Sequence, residues 1–156
     1  MKKFILGNMD EIIGAYVLLV MSSFAFLNVV TRYLLHFSFS FTEEMTVYLF
    51  VWMTMLGSSV AFKEGGVMRV VFFYNKVPKK PRKALYLFIQ TVCIVYFTIL
   101  AYYGILEIID EVVTKTTSEA IKIPIWWFTS SIPIGSLLII WRIVQRTWID
   151  LKNEAY

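Results

Sequence analysis

The chain has 156 residues, of which 58% are hydrophobic and 17% are charged, with a net charge of +4. A soluble domain carries about 45–50% apolar residues on a similar count, so this composition indicates an integral membrane protein rather than a soluble one with a large core. The single cysteine, Cys93, excludes an internal disulfide framework and any metal site built from cysteines. The positive charges fall between apolar stretches instead of on one polar face, so they do not indicate nucleic-acid binding.

Four apolar stretches are long enough to cross a membrane, at residues 12–31, 45–62, 84–106 and 123–141. A bilayer core is roughly 30 Å thick and needs about 20 apolar residues at about 1.5 Å each. The third helical pattern continues to about Val113, which predicts a tilted or protruding helix. We therefore predict an all-α integral membrane protein with one domain, residues 1–156, that contains four transmembrane helices.

The distribution of Lys and Arg predicts the orientation of these helices. If the N-terminus lies in the cytoplasm, four spans return the C-terminus there as well. The outer side then holds only Arg32, Lys115 and Lys122, and the other twelve of the fifteen cations lie inside. Cytoplasmic loops are rich in such cations, so we expect both termini to be cytoplasmic.

The connection between the second and third spans has two parts. Residues 67–75 are apolar but too short to cross between charges, which favours a segment that lies in the membrane interface. Residues 76–83 contain two prolines that are expected to stop any helix there. The same stretch carries five cations that predict a cytoplasmic anchor on anionic lipid: Lys76, Lys79, Lys80, Arg82 and Lys83.

The second span begins with two acids, Glu43 and Glu44, that allow two interpretations. Ser40 and Glu43 have the spacing of a capping box, in which a hydroxyl and a carboxylate satisfy free backbone N–H groups. Alternatively the acids make a contact, because Arg32 lies at the same predicted membrane boundary. We predict an ion pair between Arg32 and Glu43 or Glu44 that joins the first two helices.

Three further features concern helix shape and contact surfaces. Pro133 lies inside the fourth span and is expected to kink it. Gly57 and Ala61 are small residues four positions apart, a spacing that allows close helix approach. We predict helix contacts at these two residues and at Trp52. Acids beyond the third span form either a solvated rim or a docking surface for a periplasmic partner, namely Asp110, Glu111 and Glu119.

The spans contain no Asp, Glu, Lys, Arg or His near mid-membrane. Ion-coupled carriers normally keep such a residue, because a costly buried charge persists only for function. No Walker loop, hydrolase motif or metal motif occurs either, so we expect no catalytic residue, metal or cofactor. The residues favour a membrane scaffold or accessory subunit. The alternative is an autonomous four-helix carrier or channel that acts as an oligomer.

Several short motifs are similar to those of one family, the small membrane (Q) subunits of tripartite ATP-independent periplasmic (TRAP) transporters. Paired acids followed by a tryptophan and a glycine are the most specific part, in Thr42-Glu43-Glu44, Trp52 and Leu56-Gly57-Ser58. The other matching motifs are Val30-Thr31-Arg32-Tyr33, Lys63-Glu64-Gly65, Met68-Arg69-Val70, Val77-Pro78 with Arg82, Ile123-Pro124-Ile125-Trp126-Trp127 and Pro133-Ile134-Gly135. Members often carry a histidine near Val67 and an acid near Val71, and both positions are apolar here.

The resemblance implies a multi-pass protein of the bacterial inner membrane with two protein partners. A large membrane (M) subunit would hold the substrate and Na⁺ sites, and a soluble periplasmic (P) protein would deliver an organic acid, of the sialic acid or C4-dicarboxylate class. The small subunit would brace the stationary part of the large one. No substrate site is expected in this chain.

Overall fold

The structure is a computed structural model that describes residues 9–34, 36, 39–64 and 79–152. Within these ranges the chain is almost entirely helical, and its only β pairing is an isolated bridge between Thr117 and Pro124. The helices in chain order are α1 (Met9–Leu34), α2 (Ser40–Glu64), α3 (Lys79–Thr114), α4 (Trp126–Thr129) and α5 (Ser131–Lys152).

Four helical segments are long and apolar enough to cross a membrane: Asp10–Leu34, Ser40–Glu64, Lys83–Thr114 and Trp126–Lys152. This confirms the four predicted spans. Each segment is longer than its predicted apolar stretch, because helical hydrogen bonding continues through flanking polar residues that lie outside a hydrocarbon core. The third helix is longest, and its 36 residues make about 54 Å of helix, as its extended pattern predicted. The cytoplasmic location of the termini stays a prediction.

The helices pack in a row rather than in chain order. The extensive contacts join α1 to α2, α2 to α5, and α5 to α3. We call the side with the starts of α1 and α3 the termini side, and the opposite side the loop side. The apolar core lies where α2, α3 and α5 meet, around Phe62, Ile139 and Ile143. The two isoleucines are fully buried, and their helix, α5, is with α2 one of the two inner helices of the row.

Two glycines set how closely the helices approach. A Cβ atom added to Gly135 would lie 2.5 Å from the Cβ of Met55, so α5 touches α2 where only hydrogen fits. A Cβ at Gly104 would lie 3.0 Å from a methyl group of Ile132, which brings α3 against α5. Close approach at small residues increases packing contacts in lipid, where apolar burial gives no driving force between helices.

Prolines act differently at two helix ends. We expected the prolines near the start of the third span to stop any helix, but Pro81 lies inside the first turn of α3. That part of the prediction was wrong. The N–H groups in the first turn of a helix have no intrahelical acceptor, so a proline there, which lacks its N–H, loses no hydrogen bond. Pro133 follows a break at Ser130 that separates α4 from α5, as expected for a kinked span. The predicted interfacial segment, residues 67–75, and Lys76 lie outside the described residues.

Candidate functional site

A bidentate ion pair joins the first and last helices on the termini side. Asp10, only 3% exposed, accepts hydrogen bonds from Nε and Nη2 of Arg142 at 3.0 and 2.7 Å. The hydroxyl of Ser59, on α2, donates to the same carboxylate at 3.2 Å. Two parallel bonds between a guanidinium and a carboxylate fix both orientation and distance. This contact therefore holds α1, α2 and α5 in one arrangement.

Two further ion pairs lie on the same side. Lys63 of α2 pairs with Glu11 of α1, and Arg146 pairs with Asp150 one turn further along α5 at 3.0 Å. The buried hydroxyl of Tyr86 donates to Asp150 at 3.0 Å and so joins α3 to α5. All four long helices are thus connected by polar contacts on the termini side.

Sequence reasoning missed these contacts. Arg142 and Arg146 were counted only among the twelve cations expected in the cytoplasm, and no partner was predicted for Asp10 or Glu11. The available signal was that acids and cations flank spans on one side of the membrane. Which acid meets which cation depends on the order of helices in the row, and the sequence does not carry that order in any local pattern.

On the loop side, Glu44 holds the connection between α3 and α4. One carboxylate oxygen accepts the hydroxyl of Tyr48 at 3.1 Å, and the other accepts the backbone N–H of Ala120 at 3.1 Å. The hydroxyl of Ser118 and the N–H of Glu119 lie beside the same carboxylate. Glu44 therefore joins the first turns of α2 to a loop more than 70 residues away.

These contacts correct the predicted pairing of Glu44 with Arg32. Arg32 is exposed, and the three ion pairs found in the described ranges do not include it. Arg32 is the last-turn cation of α1, whereas Glu44 lies in the second turn of α2 and turns toward the loop after α3. The capping-box interpretation places Ser40 just before the helix, whereas Ser40 is itself the first residue of α2. Glu43 is exposed in the first turn.

A second acid on the loop side is also engaged within the chain. Glu111, at the end of α3, accepts the hydroxyl of Thr129 of α4 at 2.8 Å. Next to it the rings of Tyr48 and Phe128 stack with centroids 4.0 Å apart. Of the three acids proposed for docking, Asp110 and Glu119 are exposed, whereas Glu111 is half-buried. Their role in docking stays a prediction.

The residues predicted for helix packing lie on or beside an open face of α2. Nothing lies within 4 Å of a Cβ added to Gly57, which is exposed. Trp52 and Ala61 are half-buried. In the part of the chain that the structure describes, the close helix contacts at glycine are made by Gly135 and Gly104 instead. Contacts of the Gly57 face with another subunit stay a prediction.

Residues 21–153 match the family model for the DctQ component of the tripartite ATP-independent periplasmic transporters. The chain belongs to this family. The resemblance found in its motifs is thereby confirmed. With four apolar helices, this TRAP small permease subunit is a multi-pass protein of the inner membrane.

Three relatives illustrate the range of the family. The chain is 24% identical over 152 residues to the sialic acid TRAP transporter small permease protein SiaQ of Vibrio cholerae, covering 95% of the chain and 84% of that protein. It is 28% identical over 131 residues to the C4-dicarboxylate TRAP transporter small permease protein DctQ of Vibrio cholerae, covering 84% and 53%. It is 24% identical over 148 residues to the sialic acid TRAP transporter permease protein SiaT of Haemophilus influenzae, covering 95% and 24%. The chain thus spans about half of one relative and a quarter of another.

The polar groups of this small permease subunit are arranged to hold helices together. Its ion pairs lie at the termini side, and its remaining acid contacts lie at the loop side, with the apolar core between them. Among the residues that the structure describes, no three His, Cys, Asp or Glu side chains are grouped so that they could bind a metal ion.

Proposed function

We propose that this small permease subunit braces the stationary part of a large TRAP membrane subunit in a Na⁺-coupled transporter for an organic acid. The coupling ions and the substrate would bind in the large subunit, and a periplasmic protein would deliver the substrate. The termini would lie in the cytoplasm. In this proposal the chain contributes fixed helices and no binding site of its own.

The observation that carries this proposal is the polar attachment of the helix row at both of its ends. Asp10 with Arg142 joins three helices on the termini side, and Glu44 with Ala120 joins α2 to the α3–α4 loop on the other. Between these ends the spans have no Asp, Glu, Lys, Arg or His near mid-membrane. A moving transport domain needs a fixed surface, and a helix row restrained in this way is suited to provide one.

The match to SiaT supports a direct association with a larger permease. Nearly all of this chain aligns with about a quarter of that protein, so in that relative a segment similar to this chain is covalently part of a longer permease. We infer that the separate chain occupies the corresponding place beside its own large subunit. The named relatives make sialic acid and C4-dicarboxylates the first substrates to test.

Reconstitution tests the proposal directly. The chain, the large membrane subunit of its own system and the periplasmic protein are combined in proteoliposomes, and uptake of labelled sialic acid and succinate is measured with and without a Na⁺ gradient. We expect uptake only with all three components and the gradient. Gradient-driven uptake by vesicles that contain this chain alone would contradict the proposal and favour an autonomous carrier or channel.

A further inference from the structure

Tyr96 lies near the middle of α3, far from both borders of the membrane span. Lys83 and Glu107 are the charged residues on either side of the charge-free stretch 84–106, so about 20 Å of helix separates Tyr96 from one border and about 16 Å from the other. Tyr96 is 59% exposed, and within the described ranges its hydroxyl makes no hydrogen bond. A tyrosine side chain is too short to reach either border, so this hydroxyl lies at the depth of the hydrocarbon.

Two threonines of the same helix show how a hydroxyl is usually satisfied in lipid. Thr91 donates to the carbonyl of Leu87 at 2.9 Å. Thr98 donates to the carbonyl of Ile94 at 2.7 Å. A short side chain reaches the backbone of its own helix in this way, whereas the hydroxyl of a tyrosine lies too far from it. Since hydrocarbon provides no acceptor, an unpaired hydroxyl at this depth is costly. The hydroxyl of Tyr96 therefore needs an acceptor from beyond the described part of the chain.

Tyr96 belongs to an exposed seam that runs along α3. Residues three and four apart share one face of a helix, and Val92, Tyr96, Ile99 and Tyr103 follow that spacing, with exposures of 51%, 59%, 51% and 64%. We call these four residues the Tyr96 seam. α3 lies at the edge of the helix row and packs mainly on α5, so the seam is open to a further helix. Aromatic rings with a polar tip suit such contacts, because the ring packs while the hydroxyl bonds across the interface.

We propose that the Tyr96 seam packs against a transmembrane helix of the large membrane subunit, which accepts a hydrogen bond from the Tyr96 hydroxyl at mid-membrane. The acceptor is a backbone carbonyl freed at a helix break or the oxygen of a polar side chain. This inference rests on the proposed function and adds to it the face of the small subunit that meets the large one.

Two other occupants fit the seam less well. Lipid chains cover its apolar side chains but offer the hydroxyl no acceptor. A second copy in a twofold contact would present the same seam, in which Val92 and Ile99 carry no acceptor, so Tyr96 would face the other Tyr96. One hydroxyl would then accept from the other, and one of the two protons would stay unpaired. A helix of the large subunit is not restricted in this way, because its sequence differs from that of the seam.

The test measures association of this chain with the large subunit of its own system in lipid vesicles. A donor dye on one subunit and an acceptor dye on the other report the complex by energy transfer as it is diluted with lipid. Tyr96→Phe removes only the hydroxyl, and we expect the apparent dissociation constant to rise about three- to tenfold. Tyr102→Phe is the matched control, since Tyr102 is 60% exposed on the same helix but outside the seam. It should change the constant by less than about twofold.

Added bulk gives an independent measurement of the same contact. Ile99→Trp enlarges a side chain in the seam, and Ile105→Trp enlarges one on another face of α3 at similar exposure, 51% against 47%. We expect Ile99→Trp to raise the dissociation constant about tenfold and Ile105→Trp to change it less than about twofold. The unfolding midpoints of the isolated variants should equal that of the unmodified chain, which assigns the loss to the contact between subunits.

An unchanged dissociation constant for either seam variant would overturn the inference. Equal weakening by Tyr96→Phe and Tyr102→Phe would also contradict it, because the effect would then not belong to the seam. Energy transfer between two labelled small subunits that Tyr96→Phe abolishes would assign the seam to a second copy instead. If the unmodified subunits do not associate at all, the proposed function fails, whereas association that ignores the seam variants leaves that function intact and removes this inference alone.

Discussion

Asp10 and Arg142 lie 132 positions apart and form a two-bond ion pair that joins the first helix to the last. The Asp10 side chain is 1% exposed and that of Arg142 is 13% exposed. Since α1 lies at the edge of the helix row and packs mainly on α2, this pair is its principal attachment to α5. The pair thus joins the first helix directly to α5, in addition to its packing and its Lys63–Glu11 ion pair with α2.

Removing one partner of this pair should destabilise the chain. Asp10→Ala leaves a largely buried guanidinium without its carboxylate, and breaking a buried pair in this way costs about 3 kcal/mol. Thermal unfolding in detergent should show a lower midpoint for Asp10→Ala and for Arg142→Ala. The double variant Asp10→Leu/Arg142→Leu should recover part of the loss, because neither charge is then left alone.

Arg32→Gln is the matched control for that measurement. Arg32 is exposed and makes no ion pair in the described part of the chain, so its loss should change stability by less than about 0.5 kcal/mol. A midpoint that falls as far for Arg32→Gln as for Asp10→Ala would contradict the importance assigned to the buried pair.

Gly135→Ala should destabilise the contact between α2 and α5. The added Cβ would lie 2.5 Å from the Cβ of Met55, a distance that forces the helices apart. Overpacking of this kind costs about 1–3 kcal/mol. Gly57→Ala is the control on the same pair of helices, because its Cβ meets no atom within 4 Å and alanine is the better helix former. Equal unfolding midpoints for the two variants would contradict the close approach at Gly135.

Gly57→Leu separates the stability of the chain from its assembly. The open space around Gly57 means that leucine should leave the unfolding midpoint of the isolated chain nearly unchanged. If the Gly57 face meets the large subunit, the same variant should lower the amount of that subunit recovered by co-purification. Full recovery with Gly57→Leu would show that this face contacts lipid instead.

Tyr86→Phe should weaken the attachment of α3 to α5. The buried hydroxyl donates to Asp150 at 3.0 Å, and loss of a hydrogen bond to a charged group costs about 1.5–3 kcal/mol. Arg146 still neutralises Asp150, so we expect the lower end of that range in detergent unfolding. Tyr96→Phe is a suitable control, since Tyr96 is 59% exposed on the same helix. A larger effect at Tyr96 would contradict this assignment.

Local pattern was enough to predict the helices. The lengths of the apolar stretches predicted four spans, and the extended third pattern predicted a helix beyond Leu106. Pro133 predicted a kink in the fourth span, where the structure has a break at Ser130. Each of these depends on residues within a few turns of one another. The prediction that failed at Pro81 depended on whether the proline lies just before or just inside the helix, a difference of two or three residues.

The sequence by itself determined that this protein is a four-helix membrane protein without Asp, Glu, Lys, Arg or His at mid-membrane, because hydrophobic length and charge placement are properties of the chain alone. Tertiary structure alone decided which polar groups meet: that Glu44 binds the amide of Ala120 rather than Arg32, and that Asp10 finds Arg142. It also decided that Gly135, rather than Gly57, makes the close contact within the chain. The physical reason is that a lipid-exposed helix carries apolar residues on every side, so its apolar pattern does not specify which helix packs against it. A few polar and small residues determine that packing, and their partners lie far away in the chain.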